Sequence, residues 1–176
     1  YKRYGTGEIY HKDSIRYDNS KKFNTVTGRP VYGGGGIIPD VFVPRDTTSF
    51  SVYYAAVLNS GLLQSYSFHY ADKNREKLAA MKDYKQYLRK LPSNDVMLSD
   101  FVAYAEKNGV PARWHYINKS KSLIITYLKA LIARDAYGLD AFYPIYNRND
   151  KTIDAALKSL NKHEAAYPIT ISFYDK

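Results

Sequence analysis

The chain has no cysteine among its 176 residues, which excludes disulfide staples and thiolate metal sites. That absence says little about compartment, because many exported proteins also lack cysteine. No apolar run is long enough to span a bilayer. Tyr1-Lys2-Arg3-Tyr4, with neither initiator methionine nor signal peptide, reads as the start of an excised piece of something longer, so the missing targeting segment does not locate the parent. Blocks of one charge are missing too. The net charge of +9 favours acidic partners or an anionic surface, yet the basic residues lie scattered among acids and run no further than pairs such as Lys21-Lys22. No basic stripe is interleaved with stacking aromatics, so nucleic acid is not an expected partner.

What is present points to a folded chain. Hydrophobic residues make up 45% and charged residues 24%, an ordinary balance for a globular protein with a core. Nineteen tyrosines are unusual, and their apolar bodies and polar tips suit half-buried surfaces and interfaces.

The chain is organised around one stretch, Gly28-Arg29-Pro30-Val31-Tyr32-Gly33-Gly34-Gly35-Gly36-Ile37-Ile38-Pro39-Asp40-Val41-Phe42-Val43-Pro44. Glycines here act as a hinge into a short apolar strand over residues 37–43, closed by proline. Before it, turn formers punctuate residues 1–27, residues 22–26 read as a short strand, and Thr27-Gly28-Arg29-Pro30 turns that strand toward Val31-Tyr32. Three such strands enclose no core, so this segment needs a partner sheet from elsewhere. After it, nearly everything reads as helix. The expected fold is therefore mainly α, a helical domain over residues 47–176 preceded by a short β-hairpin segment over residues 1–46.

Asp46-Thr47-Thr48 offers caps for a first helix whose apolar face is Phe50, Tyr53, Tyr54, Val57, Leu58 and Leu62, running to about Tyr70, with Gly61 as a site of close packing or a break. A second helix is expected over residues 75–91, ended by Pro92, with a turn at Ser93-Asn94-Asp95. A third starts near Ser99 and stops at Gly109. Ser120 or Asn118 would cap a fourth, apolar nearly all round from Leu123 to Ile132, which marks it as the buried centre of the helical domain, ending near Gly138. Residues 139–147, with Pro144, read as a short helix or turn. Asp150 caps a last helix with Ile153, Ala156, Leu157 and Leu160 on one face, and residues 167–176 alternate as a strand.

Chemistry-bearing patterns are few. Gly33 to Gly36 are not a phosphate loop, because no Gly-Lys-Ser/Thr follows and the run leads into a strand. His11, His69, His115 and His163 show no metal-ligand spacing, and the His163-Glu164 pair reads as a solvated helix end. Ser20-Lys21 and Ser120-Lys121 put a serine beside a lysine, but adjacent side chains point apart. A lysine base also needs an apolar pocket, whereas Lys121 is expected to open a helix in solvent and Lys21 belongs to an exposed pair. Asn118-Lys119-Ser120 matches a glycosylation sequon that reads better as a helix cap. Arg134-Asp135 and Asp140, flanking Gly138, are candidates for a buried polar network, against the plainer reading of an ion pair or cap. No residue is assigned a catalytic, cofactor-binding or metal-binding role.

The run from Lys22 to Pro44, with Gly28-Arg29, the glycines and Gly36-Ile37-Ile38-Pro39-Asp40, resembles the segment that closes the protease core in C-terminal processing peptidases, also called tail-specific proteases. Gly7-Glu8-Ile9-Tyr10-His11-Lys12-Asp13-Ser14-Ile15 and Arg134-Asp135-Ala136-Tyr137-Gly138 look similar to the form found in Gram-negative anaerobes. The resemblance is specific over about residues 5–46 and weaker beyond. It implies a periplasmic or cell-envelope parent that cleaves polypeptides with a serine nucleophile and a lysine base, partnered by a PDZ-like domain. Both catalytic residues would lie upstream of this chain, so none is carried over to it. The chain is then the trailing β segment of a peptidase core plus a non-catalytic helical extension that stabilises the core or shapes substrate access. The alternative is a helical module, with no enzymatic role, for a peptide, an envelope polymer or another subunit such as a second copy.

Overall fold

Glycine, proline and the short polar residues set the element boundaries in the computed structural model, which describes residues 7, 10, 12, 15, 18–26, 28–33 and 41–161. The fold among them is mainly helical, with one short two-stranded antiparallel sheet near the N-terminus. They divide into two units. One comprises the described residues up to Asp46 together with those from Lys151 onward, and the other is residues 47–150.

In the first unit β1 (Lys22–Asn24) pairs with β2 (Pro30–Tyr32), placing Phe23 opposite Val31 and Lys22 opposite Tyr32. Thr25 ties the turn: its carbonyl accepts from Gly28 N–H at 2.9 Å and its hydroxyl from Arg29 N–H at 3.1 Å. Phe23 stays 61% exposed, as expected of a hairpin too small to bury its own face. The apolar strand expected over residues 37–43 is not formed at Val41, Phe42 and Val43, which are irregular. Pro44 has no N–H to give a ladder there. Residues 34–40, the strand expected at 167–176 and the His163-Glu164 pair lie outside the described residues.

The helical unit contains α1 (Val52–Asn59), α2 (Leu62–Lys73), α3 (Arg75–Ala79), α4 (Tyr84–Lys90), α5 (Asn94–Lys107), α6 (Trp114–Tyr137) and α7 (Leu139–Tyr146). The final helix, α8 (Lys151–Asn161), belongs to the first unit, where Lys151 Nζ lies 2.6 Å from Asp46 Oδ2. Leu157 and Leu160 of its expected apolar face remain exposed.

Several boundaries differ from the periodicity. The cap of α1 is Ser51, whose Oγ accepts from Tyr54 N–H at 3.2 Å, and not Asp46, Thr47 or Thr48. Gly61 breaks the expected first helix in two. It sits at φ +71° with open space where a Cβ would be, so it marks a left-handed break and not a close approach. A left-handed conformation costs an L-residue about 1 kcal/mol. Gly61→Ala is accordingly expected to lower stability by about 1 kcal/mol, read as a shifted urea midpoint with an unchanged slope.

The helix expected over residues 75–91 is likewise two. Asp83 Oδ1 caps α4 by accepting from Gln86 N–H at 2.8 Å, and Gln86 Oε1 accepts in return from Lys82 N–H at 2.7 Å. The next helix starts at Asn94, not near Ser99, because Ser93 Oγ takes up Val96 N–H at 3.4 Å. It ends as expected at Gly109, where φ is +92°: Gly109 N–H reaches Glu106 O at 3.1 Å and Val110 N–H reaches Ala105 O at 2.9 Å. Those two bonds satisfy the last orphan carbonyls in a glycine-dependent cap.

The fourth expected helix, α6, is the centre of this unit. It packs against α1, α2, α3, α4, α5 and α7. Ile117, Ile124, Leu128, Leu131 and Ile132 on it are fully buried, beside Val57, Leu63, Tyr87, Met97 and Phe101 from its neighbours. Each such side chain removed from water contributes about 1.5–3 kcal/mol. Tyrosines finish the core at its edges. The Tyr87 hydroxyl donates to Lys129 O at 3.0 Å and that of Tyr137 to Leu78 O at 2.8 Å, so their polar tips are satisfied while their rings are covered.

Candidate functional site

Helix α6 does not start at Ser120 or Asn118. It begins at Trp114, and Ser120 lies fully buried inside it. Ser120 Oγ is 2.7 Å from Ser49 O and 2.8 Å from Ser51 Oγ. One proton per hydroxyl assigns the chain of bonds: Ser120 donates to the Ser49 carbonyl and accepts from Ser51, which accepts in turn from Tyr54 N–H. Ser120 is thus a clamp that fixes the approach to α1. Its neighbour Lys121 lies eight residues into the helix instead of opening it, and forms an ion pair with Asp95. Lys21 is exposed and lies 3.5 Å from Asp18.

The other singled-out residues are dispersed. His69 is exposed, with Nδ1 2.6 Å from Ser65 O, and exposed His115 lies edge-on to Tyr116. Among the described residues no group of histidines and carboxylates could hold a metal ion. Arg134 and Asp135 pair at 2.9 Å at the surface, which is the plainer ion-pair reading, and Asp140 is exposed, so the alternative of a buried network there is not formed. His69, His115, Arg134 and Asp135 each take a partner within four residues along the chain.

The arrangement with chemical potential is a cleft of about 610 Å³ over the outer face of α6. Its apolar part is Ile125, Ile145 and Leu88. Around these stand Asn94, Asn118, Asn149, Ser122 and Thr126, whose amides and hydroxyls both donate and accept. Four cations line it: Lys119, Lys121, Lys129 and Arg148. They are not equivalent. Lys121 is paired with Asp95, whereas Lys119, Lys129 and Arg148 have no carboxylate at ion-pair distance among the described residues. Lys129 Nζ donates instead to the neutral Asn94 Oδ1 at 2.7 Å. Burial holds the half-buried Lys129 ammonium below the ordinary lysine range, and the charge of Arg148 pushes the same way. An anion in the cleft would relieve both effects. A smaller cavity of about 360 Å³ between α2, α3 and the end of α6 carries its own neutralisation, because Arg75 pairs with Asp72 at 2.6 Å at its edge.

The sequence reading missed this cleft. Asn118, Ser122, Ile125 and Lys129 recur every three or four residues, one polar-edged stripe on a helix that otherwise reads as apolar all round. That stripe was the available signal, while Asn94 at the start of α5, Ile145 on α7 and Arg148 in the 3-10 turn after it reach this face only through packing.

Residues 53–138 match the family model DUF8443, described as a family of unknown function, and the match covers α1 through α6. No curated protein and no solved structure matches the chain.

Proposed function

We propose that this chain is the non-catalytic C-terminal region of an exported serine peptidase, and that its helical unit holds polypeptide for a serine–lysine dyad carried elsewhere in the parent. The peptidase class rests on the resemblance of residues 22–44. The binding role rests on one observation, the peptide-sized cleft with uncompensated cations beside an apolar floor. In this reading Ser120 and Lys121 are structural, the one clamping Ser49 and Ser51, the other holding Asp95.

The full chain incubated with an unfolded protein is expected to leave it intact. Hydrolysis by the purified chain that disappears in Lys121→Ala would overturn the non-catalytic assignment. A helical interaction module with no peptidase parent would use the same cleft, and the sequence encoded upstream of Tyr1 separates the two. A serine–lysine peptidase segment there supports the first, and an unrelated sequence supports the second.

A further inference from the structure

We propose that the cleft over α6 takes a short acidic peptide segment, with Lys129 and Arg148 engaging a carboxylate and Leu88, backed by Ile125 and Ile145, seating a neighbouring apolar side chain. The proposal rests on reading the helical unit as a binding module and names the chemistry of what it binds.

Three features of the cleft select this ligand. Its cations are spread along the helix: Lys119 and Lys129 are ten residues apart on α6, or about 15 Å at the helical rise. That distance matches about four or five residues of extended chain. A compact anion such as phosphate would use donors converging on one point, and could not reach both ends. The second feature is the floor. Partly buried Leu88 presents a small apolar surface beside the charges, backed by Ile125 and Ile145, each 4% exposed, and a purely polar polyanion leaves that surface unused. The third is the set of carboxamides. Asn118 and Asn149 each carry a donor and an acceptor, the complement of a peptide main chain, whereas a polyphosphate offers acceptors only.

Charge accounts for the division of labour. Lys121 is already neutralised by Asp95, so it contributes structure. Lys129 and Arg148 lie close enough to repel and have no counter-ion among the described residues. The planar guanidinium of exposed Arg148 can take a carboxylate through two parallel hydrogen bonds, and Lys129, positioned by Asn94, adds a point charge from the cleft floor.

Fluorescence anisotropy with the full chain tests this. The probes are a labelled peptide with glutamates on either side of a leucine, the same peptide with glutamines, the acidic peptide with serine for leucine, and vesicles of anionic phospholipid. The acidic leucine peptide is expected to bind best, and Arg148→Gln with Lys129→Gln to weaken it about tenfold. Arg148→Gln alone, at an exposed position, is expected to weaken it about threefold with an unchanged circular-dichroism spectrum, and Lys73→Gln, outside the cleft, to have no effect. Equal binding of the glutamine peptide, or binding of vesicles and not peptides, would overturn the acidic-peptide assignment alone. Failure of the chain to bind any of these peptides or an unfolded protein would overturn the binding-module reading as well.

Discussion

Raising the pH from 9 to 12 is expected to unfold the helical unit cooperatively, with stability falling from about pH 10 upward. Burial pushes the phenols of Tyr53 and Tyr54 up to about 12, with smaller contributions from Glu106 beside Tyr53 and from Tyr146 and Tyr127 beside Tyr54. Burial raises those of Tyr66 and Tyr87 further still. In the unfolded chain all four ionise near pH 10. Above that pH the unfolded state has lost protons that the folded state keeps, so the stability present below pH 10 is lost as the pH rises through the folded values. Each retained proton costs about 1.4 kcal/mol per pH unit. Four retained protons together cost at most about 5.5 kcal/mol per unit, comparable with the whole stability of a small domain.

Tyrosinate absorbance and far-ultraviolet circular dichroism should therefore change together in one steep transition. A gradual titration of all tyrosines with helix content intact would refute the coupling. Tyr53→Phe is a clean variant, because the Tyr53 hydroxyl is buried with no hydrogen-bond partner. Its removal is expected to leave stability at pH 7 unchanged or up to about 1 kcal/mol higher, and to make the alkaline transition shallower.

Phe101→Ala is expected to destabilise the unit by about 3–5 kcal/mol, the usual range for deleting a buried aromatic. Phe101 is fully buried on α5 and meets Tyr66 of α2 edge-on, with ring centroids 5.4 Å apart. Tyr66 also meets Tyr104 at 5.5 Å, and the Tyr104 hydroxyl is 2.8 Å from that of Ser65. Truncation would leave a void that this aromatic group cannot close without losing its edge-to-face contacts. Phe68, 63% exposed on α2, is the control: Phe68→Ala should move the urea midpoint little. Similar shifts for both variants would show that α5 does not pack on α2 as described.

The central helix was legible in the sequence because its signal is intrinsic. Leu123 through Ile132 is apolar nearly all round, and only a helix surrounded by others satisfies that pattern. Helix ends were legible where one residue decides them, as at Gly109 and Gly138. Starts were less so. Thr47, Ser51, Ser93, Asn94 and Ser99 are all acceptable caps, and the choice among them follows from what else each residue touches. Ser120 shows the same limit most clearly. A serine at that position resembles a cap, yet it became a core clamp because α6 begins six residues earlier and buries it against Ser49 and Ser51.

The sequence alone therefore determined the helical class, the short hairpin, the buried centre and the tyrosine-rich edges, since composition and periodicity act within single elements. Tertiary structure decided the breaks at Gly61 and before Asp83, the role of Ser120 and the existence of the cationic cleft. The role of Ser120 and the cleft depend on residues far apart in sequence, whereas the two breaks are local choices among several acceptable turn and cap residues. Lys129 is an ordinary surface lysine until Asn94 and Ile145 are folded around it. Only then do burial and the Arg148 charge weigh against its ammonium, and that is the physical ground for the proposal that the cleft takes an anion.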